Sequence, residues 1–460
     1  MENTKGKANI PVIVLRAVLI AAALAVFAVY AKNSLDERPF YDLIGPFFAL
    51  FLFAFVLIAA APRVIALLKG EDEFPRPKSE GVMRRLLTVM LAALVLHVFT
   101  LVLGMLAYSL MYPGESAQDV FRNAWMKQNT DAGHYVTIAR DWYVSEDPDN
   151  LLIVFFPMLP VLIRALNTVF HDGYISAQLI NLAVMPLLAG TAYLTFRGPL
   201  GERRAVCASF ITLLMPGAIF FNSPMTEPLF LLFTFASFLS VQKKRFLLAG
   251  VFAALSGFTR SLGVLAAVPL ALTGINHVVG LAREKKDVTR TLILLLAGLF
   301  VSVFGTLGYL FINWRVHGDP LKFLEYQASN WSQRACPFFD TVRYIINPYL
   351  IKSVQELNAD KAVVLWGSQL FMIFGALIIM IFAANKLPAA YTVYFLCYFA
   401  VSVGCTWLLS SVRYLSACLP LAAALGLFCD KKAKTAALFS VLGVLYAAYL
   451  LAYMARCQVY

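Results

Sequence analysis

The chain has 460 residues, of which 60% are hydrophobic and only 14% are charged, and its mean hydropathy is +0.74. Apolar runs of membrane-spanning length recur along nearly the whole sequence, so the composition predicts an all-α polytopic membrane protein and excludes an ordinary soluble domain. The net charge of +12 is not gathered into a basic patch interleaved with aromatic residues on a soluble segment, so nucleic acid is not an expected partner.

The apolar runs, taken in chain order, predict about thirteen transmembrane helices. The stretch 151–170 contains Pro157, Pro160 and Arg164, so we expect it to dip into the membrane without crossing it. The run at 246–258 is short but is counted as a crossing. The predicted spans are 11–31, 43–67, 86–112, 174–196, 205–222, 226–242, 246–258, 262–282, 291–312, 362–384, 389–409, 414–429 and 435–455.

The distribution of charge predicts which loops face the cytoplasm. Loops on the N-terminal side hold 22 Lys and Arg against 9 acidic residues, whereas the opposite loops hold 15 against 17. Cytoplasmic loops are enriched in Lys and Arg, so the N-terminus is expected inside, and loops 113–150 and 313–361 outside. The membrane is either a bacterial plasma membrane or the endoplasmic reticulum. Residues 1–83 are expected to form an additional hairpin and cytoplasmic linker, ahead of a main transmembrane domain at 84–460.

Cysteine and metal-ligand patterns give few functional signals. Five of the seven cysteines lie in or beside apolar runs, and only Cys336 and Cys457 are placed to pair outside. The sequence contains no HExxH motif, no Cys/His cluster and no Walker A loop. We therefore expect neither a metal site nor a cofactor.

A dense polar cluster follows the third predicted span, in the sequence NTDAGHYVTIARDWYV at 129–144. A helix here would begin with Asn129 or Thr130 as its N-cap. The stretch taken alone also fits an amphipathic helix lying on the membrane surface. Helical periodicity puts five polar or aromatic residues on one face, which are Asp131, His134, Tyr135, Asp141 and Trp142.

Three more charged residues are expected at the same outer face, at the ends of distant spans. Glu227 begins the run MTEPLFLLF, Arg260 interrupts an apolar stretch and Arg413 opens another. Each has a structural alternative, since an arginine at a span end can reach the headgroups and Glu227 can serve as its counterion. Their convergence with Asp131 predicts a site on this face.

Six blocks of the sequence resemble, in order, the PIG-V mannosyltransferases of the GT-C superfamily of polyprenyl-phosphate-sugar-dependent glycosyltransferases. The resemblance covers about residues 84–455, and residues 1–70 look like an addition to it. Family members usually carry Trp where this chain has Thr130. The blocks are DAGHYVTIARDWY, FFPMLPVLIRAL, SPMTEPLFLLF, FTRSLGVL, HGDPLKFLEYQ and VRYLSACLPL.

The resemblance implies an integral-membrane glycosyltransferase that moves a sugar, with mannose expected, from polyprenyl phosphate to a hydroxyl of an extracytoplasmic glycan or glycolipid, with inversion. Asp131 matches the catalytic carboxylate and is the predicted general base. Arg260 and Arg413 are predicted to hold the lipid phosphate. The predicted substrate contacts are His134, Tyr135, Asp141, Trp142, Glu227 and Trp331.

Two other functions remain open at this point. A glycolipid flippase would use the same polar residues to bind a headgroup in transit. A catalytically inactive relative would act as an assembly partner, which the departure at Thr130 allows.

Overall fold

The computed structural model describes residues 10–35, 38–73, 80–126, 130–146 and 149–460. Asn129, one of the two predicted N-cap residues, and residues 74–79 of the predicted cytoplasmic linker lie outside these ranges. Within them the regular elements are helices, accompanied by one isolated antiparallel bridge between Ala335 and Cys405. The all-α prediction is confirmed, and the chain is an integral membrane protein.

Eight of the thirteen predicted spans coincide with helices that are long and apolar enough to cross a membrane, counted over the described ranges. These elements carry few charged residues within their apolar windows, which is what a hydrocarbon environment requires. They are Ile10–Leu35, Phe40–Leu68, Val82–Met111, Gly173–Leu200, Ser261–Arg283, Thr289–His317, Asp360–Ala383 and Lys432–Met454.

The other five predicted spans are shorter or broken. The run at 205–222 forms Glu202–Leu214 and a 3-10 helix, Pro216–Asn222, bent by 74° because the residue before Pro216 is forced into an extended conformation. The run at 414–429 is divided between two short helices, Ser411–Ser416 and Leu419–Gly426. The remaining three are Glu227–Gln242, Phe246–Thr259 and Ala389–Val403.

Short helices fill the two loops that were predicted to lie outside, and the stretch between them. The predicted non-crossing segment 151–170 is a 3-10 turn followed by a helix of 13 residues, which begins after Pro157. Such a helix is about 20 Å long, less than the hydrocarbon thickness of a bilayer. These elements are Ala117–Trp125, Ala132–Asp141, Asp149–Val154, Met158–Phe170, Lys322–Asn330, Phe338–Tyr344, Ile345–Leu350 and Ile351–Gln355.

The predicted pairing of Cys336 with Cys457 is wrong. All seven cysteines lie in the described ranges and all are free. Cys336 packs beside Thr341, with 3.3 Å between its sulfur and the hydroxyl oxygen. Cys457 instead follows the last helix, where its N–H bonds to the Ala452 carbonyl. The two cysteines therefore have different neighbours and are not bonded to each other.

Small residues allow Phe246–Thr259 and Thr289–His317 to pack with their backbones almost in contact. A Cβ atom added to Gly305 would come within 1.7 Å of the Ala254 carbonyl oxygen, and one added to Gly250 within 2.1 Å of the Gly298 carbonyl oxygen. Helices in lipid depend on such close approach, because association brings no hydrophobic gain relative to the acyl chains. This packing holds Phe246–Thr259, whose end is followed by Arg260, against Thr289–His317.

We expect Gly305→Ala to destabilise the protein by roughly 1–3 kcal/mol, because the helices must move apart to admit the methyl group. Gly443→Ala is the matched control, since a Cβ atom at Gly443 has no atom within 4 Å. Thermal unfolding in detergent should show a lower midpoint for the first variant only. Equal midpoints for both variants would contradict the packing argument.

Candidate active site

A cavity of about 450 Å³ lies where the distant polar motifs meet. It combines charged side chains with aromatic rings and two glutamines, so it offers both ionic and neutral contacts. Its lining residues are Thr130, Asp131, His134, Tyr135, Val154, Phe155, Phe156, Thr226, Thr259, Arg260, Ser261, Gln327, Trp331, Gln333, Trp407, Leu409, Ser410, Arg413, Tyr414 and Tyr460.

Four ionic side chains form a continuous network at the cavity. Glu227 is fully buried, and one of its carboxylate oxygens accepts hydrogen bonds from both Arg260 and Arg413. Arg413 also donates through Nη2 to Asp131 Oδ2 at 3.0 Å. The network thus joins four segments that are distant in sequence. The structure brings together the predicted base and both predicted phosphate ligands.

Local chain geometry places each member of this network. Glu227 is the first residue of Glu227–Gln242, where the positive end of the helix dipole favours a carboxylate. Arg260 directly follows Phe246–Thr259 in an extended conformation, so its side chain leaves the helix end. Arg413 lies in the short helix Ser411–Ser416, which packs closely on Gly217, as the 3.0 Å bond from the Gly217 N–H to Ser416 Oγ indicates.

Each guanidinium is also supported by neutral groups. Arg260 donates to Thr226 Oγ1 at 2.9 Å, and its Cζ atom lies 5.3 Å from the centre of the Tyr414 ring. Arg413 lies 5.5 Å from the centre of the Phe220 ring. Contact with an aromatic face stabilises a cation that is shielded from water. Both guanidiniums are therefore oriented before any ligand arrives.

The two carboxylates of the network differ in their access to the cavity. The Asp131 side chain is 33% exposed and lines the cavity, whereas Glu227 has no exposed surface. Glu227 lies behind the two arginines as their shared counterion. A substrate in the cavity can reach Asp131 but not Glu227, which was predicted to be a substrate contact.

Two predicted substrate contacts on the Ala132–Asp141 helix do line the cavity. His134 is exposed and stacks on Phe155, with ring centres 4.8 Å apart. Tyr135 is buried, with its hydroxyl 3.5 Å from Thr226 Oγ1. Burial, and then the charge of Asp131, raise the pKa of Tyr135. Its phenol therefore stays protonated at neutral pH and cannot act as a base there.

Asp141 and Trp142 are not brought to the cavity. A rise of 1.5 Å per residue carries the chain about 15 Å from Asp131 to Asp141, so sharing a helix face does not mean sharing a site. Asp141 is exposed and pairs with Arg140 at 2.6 Å, and this hydrogen bond lowers the pKa of the Asp141 carboxyl. Trp142 ends the helix with a positive φ of 67°, and Arg164 lies 5.9 Å from its ring centre.

Sequence reasoning found Trp331 in the cavity wall but missed Trp407 and Gln333. Trp407 lies in the polar interruption 404–410, which the predicted span 389–409 absorbed, and the helix there ends at Val403. Gln333 Nε2 donates to the Trp407 carbonyl at 3.0 Å. The signal that could have found this wall is Gly404 followed by CTW, because a glycine and short polar residues end a helix.

Among the residues that the structure describes, no three His, Cys, Asp or Glu side chains are grouped so that they could hold a metal ion. A reaction without a metal remains a prediction from the sequence.

We expect Glu227→Gln to lower the free energy of unfolding by roughly 3–5 kcal/mol, since it leaves two buried guanidiniums without their shared counterion. Asp141→Asn makes the same chemical change at an exposed ion pair and should leave the unfolding midpoint unchanged. Thermal unfolding of both variants in detergent tests this. A Glu227→Gln protein as stable as the parent would mean that the network is not a unit of stability.

No family model matches the chain, and no curated protein sequence matches it. Solved structures of the oligosaccharyltransferase AglB from Archaeoglobus fulgidus are similar to it in part. The apo form gives a TM-score of 0.41 at 14% identity, covering 79% of this chain and 56% of that chain. The complex with an inhibitory peptide and a dolichol-phosphate gives 0.38 at 13% identity, covering 79% and 55%. The chain thus spans little more than half the length of these structures, and a likeness at this level carries no conclusion about activity.

Proposed function

We propose that this protein is an integral-membrane glycosyltransferase of the GT-C type, resembling the PIG-V family. It would transfer a hexose, with mannose expected, from a polyprenyl-phosphate donor to a hydroxyl of a glycan or glycolipid. The observation that carries the proposal is the position of Arg413, which joins the cavity carboxylate Asp131 to the buried Glu227 beside Arg260. A proton acceptor and two phosphate-binding cations thus share one cavity.

The proposed reaction is a single inverting displacement at the anomeric carbon. The acceptor hydroxyl oxygen forms a new bond to the anomeric carbon, while the bond between the anomeric carbon and the phosphate oxygen breaks. Asp131 takes the hydroxyl proton, and the polyprenyl phosphate leaves as an anion. A positioned carboxylate contributes about 10²–10⁴-fold to such a step. The carboxylate is available because only its Oδ2 atom is bonded to Arg413, and its side chain is one-third exposed.

The two guanidiniums would stabilise the leaving group. A guanidinium binds phosphate through paired N–H groups and stays charged at any relevant pH. Arg260 and Arg413 are shielded from water, with side chains 14% and 8% exposed, so their charge acts in a low dielectric. Since each is already tied to Glu227, phosphate binding adds to an existing orientation and does not have to create it.

A lipid-linked donor follows from the expected sidedness. Nucleotide sugars are made in the cytoplasm, and the cavity is expected on the opposite side of the membrane. A sugar carried on a polyprenyl phosphate is available at that face, and its tail would lie among the helices. Transfer from a soluble nucleotide sugar by the purified protein, with none from the lipid donor, would contradict this part of the proposal.

Asp131→Asn should reduce sugar transfer by about 10²–10⁴-fold, because the amide cannot take up the proton, while donor binding is retained. Asp141→Asn is the matched control, since it makes the same change on the same helix away from the cavity. The measurement is transfer of labelled sugar from a panel of polyprenyl-phosphate donors in membranes. A flippase would still move lipid after Asp131→Asn, and an inactive assembly partner would show no transfer even in the parent protein.

Arg260→Lys should raise the donor KM about tenfold or more, because an ammonium cannot bond to Glu227 and Thr226 and also make paired bonds to a phosphate. Arg164→Lys, at the exposed arginine near Trp142, is the control. The measurement is inhibition of sugar transfer by polyprenyl phosphate that carries no sugar. This lipid should inhibit the parent strongly and the Arg260→Lys variant weakly. Equal inhibition of both would remove Arg260 from the phosphate site.

A further inference from the structure

A buried ionic cluster connects the predicted additional hairpin to the loop 313–361. Asp340, in the helix Phe338–Tyr344, is 8% exposed. The hydroxyl of Tyr30, from the first hairpin helix, donates to Asp340 Oδ1 at 2.5 Å. Arg343 Nε donates to the same oxygen at 2.7 Å, and Arg38 lies 3.7 Å from it. One carboxylate therefore joins both sides of the contact.

Apolar packing extends this contact. Tyr30 meets Phe339 edge to face, with ring centres 5.1 Å apart. Phe53, from the second hairpin helix, lies 4.5 Å from Phe338 between ring centres. Aromatic pairs at these distances stabilise a contact beyond the area that they bury. The hairpin is thus packed firmly on the loop 313–361.

A further hydrogen bond and a close approach at a glycine extend the contact between the hairpin and the loop. Asn347 donates to Asp42 Oδ1 at 3.0 Å, where the second hairpin helix, Phe40–Leu68, begins. A Cβ atom on Gly45 would lie 3.0 Å from side-chain atoms of both Val342 and Ile346. The hairpin therefore follows the loop from Phe338 to Asn347.

The same loop segment holds one wall of the cavity. The Tyr349 ring stacks on Trp366 at 4.9 Å and meets Trp407 edge to face at 4.6 Å. At the other end of the segment, the Cys336 N–H donates to the Gly404 carbonyl at 3.2 Å. The wall residue Trp407 is thus fixed through the stretch that the hairpin holds.

This wall carries no formal charge, unlike the arginine part of the lining. Gln327, Trp331, Gln333 and Trp407 offer amides and indole rings, which suit the hydroxyl groups and apolar face of a sugar ring. A phosphate would go instead to the guanidiniums. In the proposed reaction this neutral wall is assigned to the acceptor, because it has no charged group for the donor's phosphate.

We propose that the hairpin positions the acceptor wall: Tyr30 and Asp340 act through the loop helix and Tyr349 to set the place of Trp407. This inference rests on the proposed function for its kinetic consequence. Its structural part, the coupling of Tyr30 to Trp407, does not depend on any reaction. The hairpin is then part of the catalytic apparatus as a positioning element and not an unconnected anchor.

The test compares Tyr30→Phe with Tyr41→Phe in the full-length protein. Both remove one hydroxyl from the hairpin, but Tyr41 is 62% exposed, whereas Tyr30 bonds to Asp340. The protein is labelled with 5-fluorotryptophan, and the Trp407 signal is identified among the six tryptophans by Trp407→Phe. We expect the ¹⁹F resonance of Trp407 to shift in Tyr30→Phe and in Asp340→Asn, and to stay unchanged in Tyr41→Phe.

Kinetics supply the second arm. Loss of a hydrogen bond to a charged group changes an equilibrium constant by about tenfold or more. Tyr30→Phe should therefore raise the acceptor KM by about that factor. Donor binding should not change, because the hydrogen bonds of Arg260 and Arg413 go to Thr226, Glu227 and Asp131, which lie outside the loop segment 338–349.

The outcomes separate the two ideas. An unmoved Trp407 resonance in Tyr30→Phe and Asp340→Asn overturns the coupling. A shifted resonance with an unchanged acceptor KM overturns the assignment of this wall to the acceptor. Absence of transfer in the parent protein defeats the proposed function, while the resonance shift still decides whether the hairpin positions Trp407. If Asp340→Asn fails to fold, the Tyr30→Phe pair alone gives the result.

Discussion

The shared counterion at Glu227 is the interaction on which the arrangement of this protein depends. Burying a charged carboxylate or guanidinium away from water has a large free-energy cost. Placing one carboxylate oxygen between two guanidiniums reduces both costs at once, but only if three separate helix ends meet at one point. Arg413 then extends the same network to Asp131, in a loop helix. The positions of these four segments are therefore mutually dependent.

This dependence has a chemical counterpart in the proposed reaction. Two cations and two carboxylates are close to balance, so the network is stable without a ligand. An anionic phosphate entering the cavity would share Arg413 with Asp131. Any weakening of the bond from Arg413 to Asp131 Oδ2 would leave that oxygen freer to accept a proton. Donor binding and activation of the base would then be linked through one side chain.

The parts predicted well from the sequence were those set by local physics or by topology. Eight spans follow from apolar length alone, because hydrocarbon tolerates few alternatives to a long apolar helix. The meeting of Asp131 with Arg413 was anticipated because the predicted number of crossings between them puts both residues on one side of the membrane. Asp141 and Trp142 were misplaced in that picture because helical periodicity specifies a direction and not a distance along the axis.

Other features could not be read from the sequence. The wall at Trp407 depends on bonds to residues about 70 positions away, such as that from the Thr406 N–H to the Arg334 carbonyl. The 74° angle of the bend before Pro216 is one such feature, since proline favours a break in the helix without setting its angle. The Tyr30–Asp340 bond joins residues 310 positions apart, and no local pattern announces it.

The length of the helix that begins at Glu227 has a consequence for the surrounding lipid. Its 16 residues measure about 24 Å, roughly 6 Å less than the hydrocarbon core of a typical bilayer. It is enclosed by other helices, so its end can stop short of the headgroup plane and leave a recess above it. A lipid phosphate bound at the two guanidiniums would then be drawn inward from its own leaflet. Deformation of the membrane would become part of the energy of substrate recognition, and the stiffness and thickness of the bilayer would help to set its affinity.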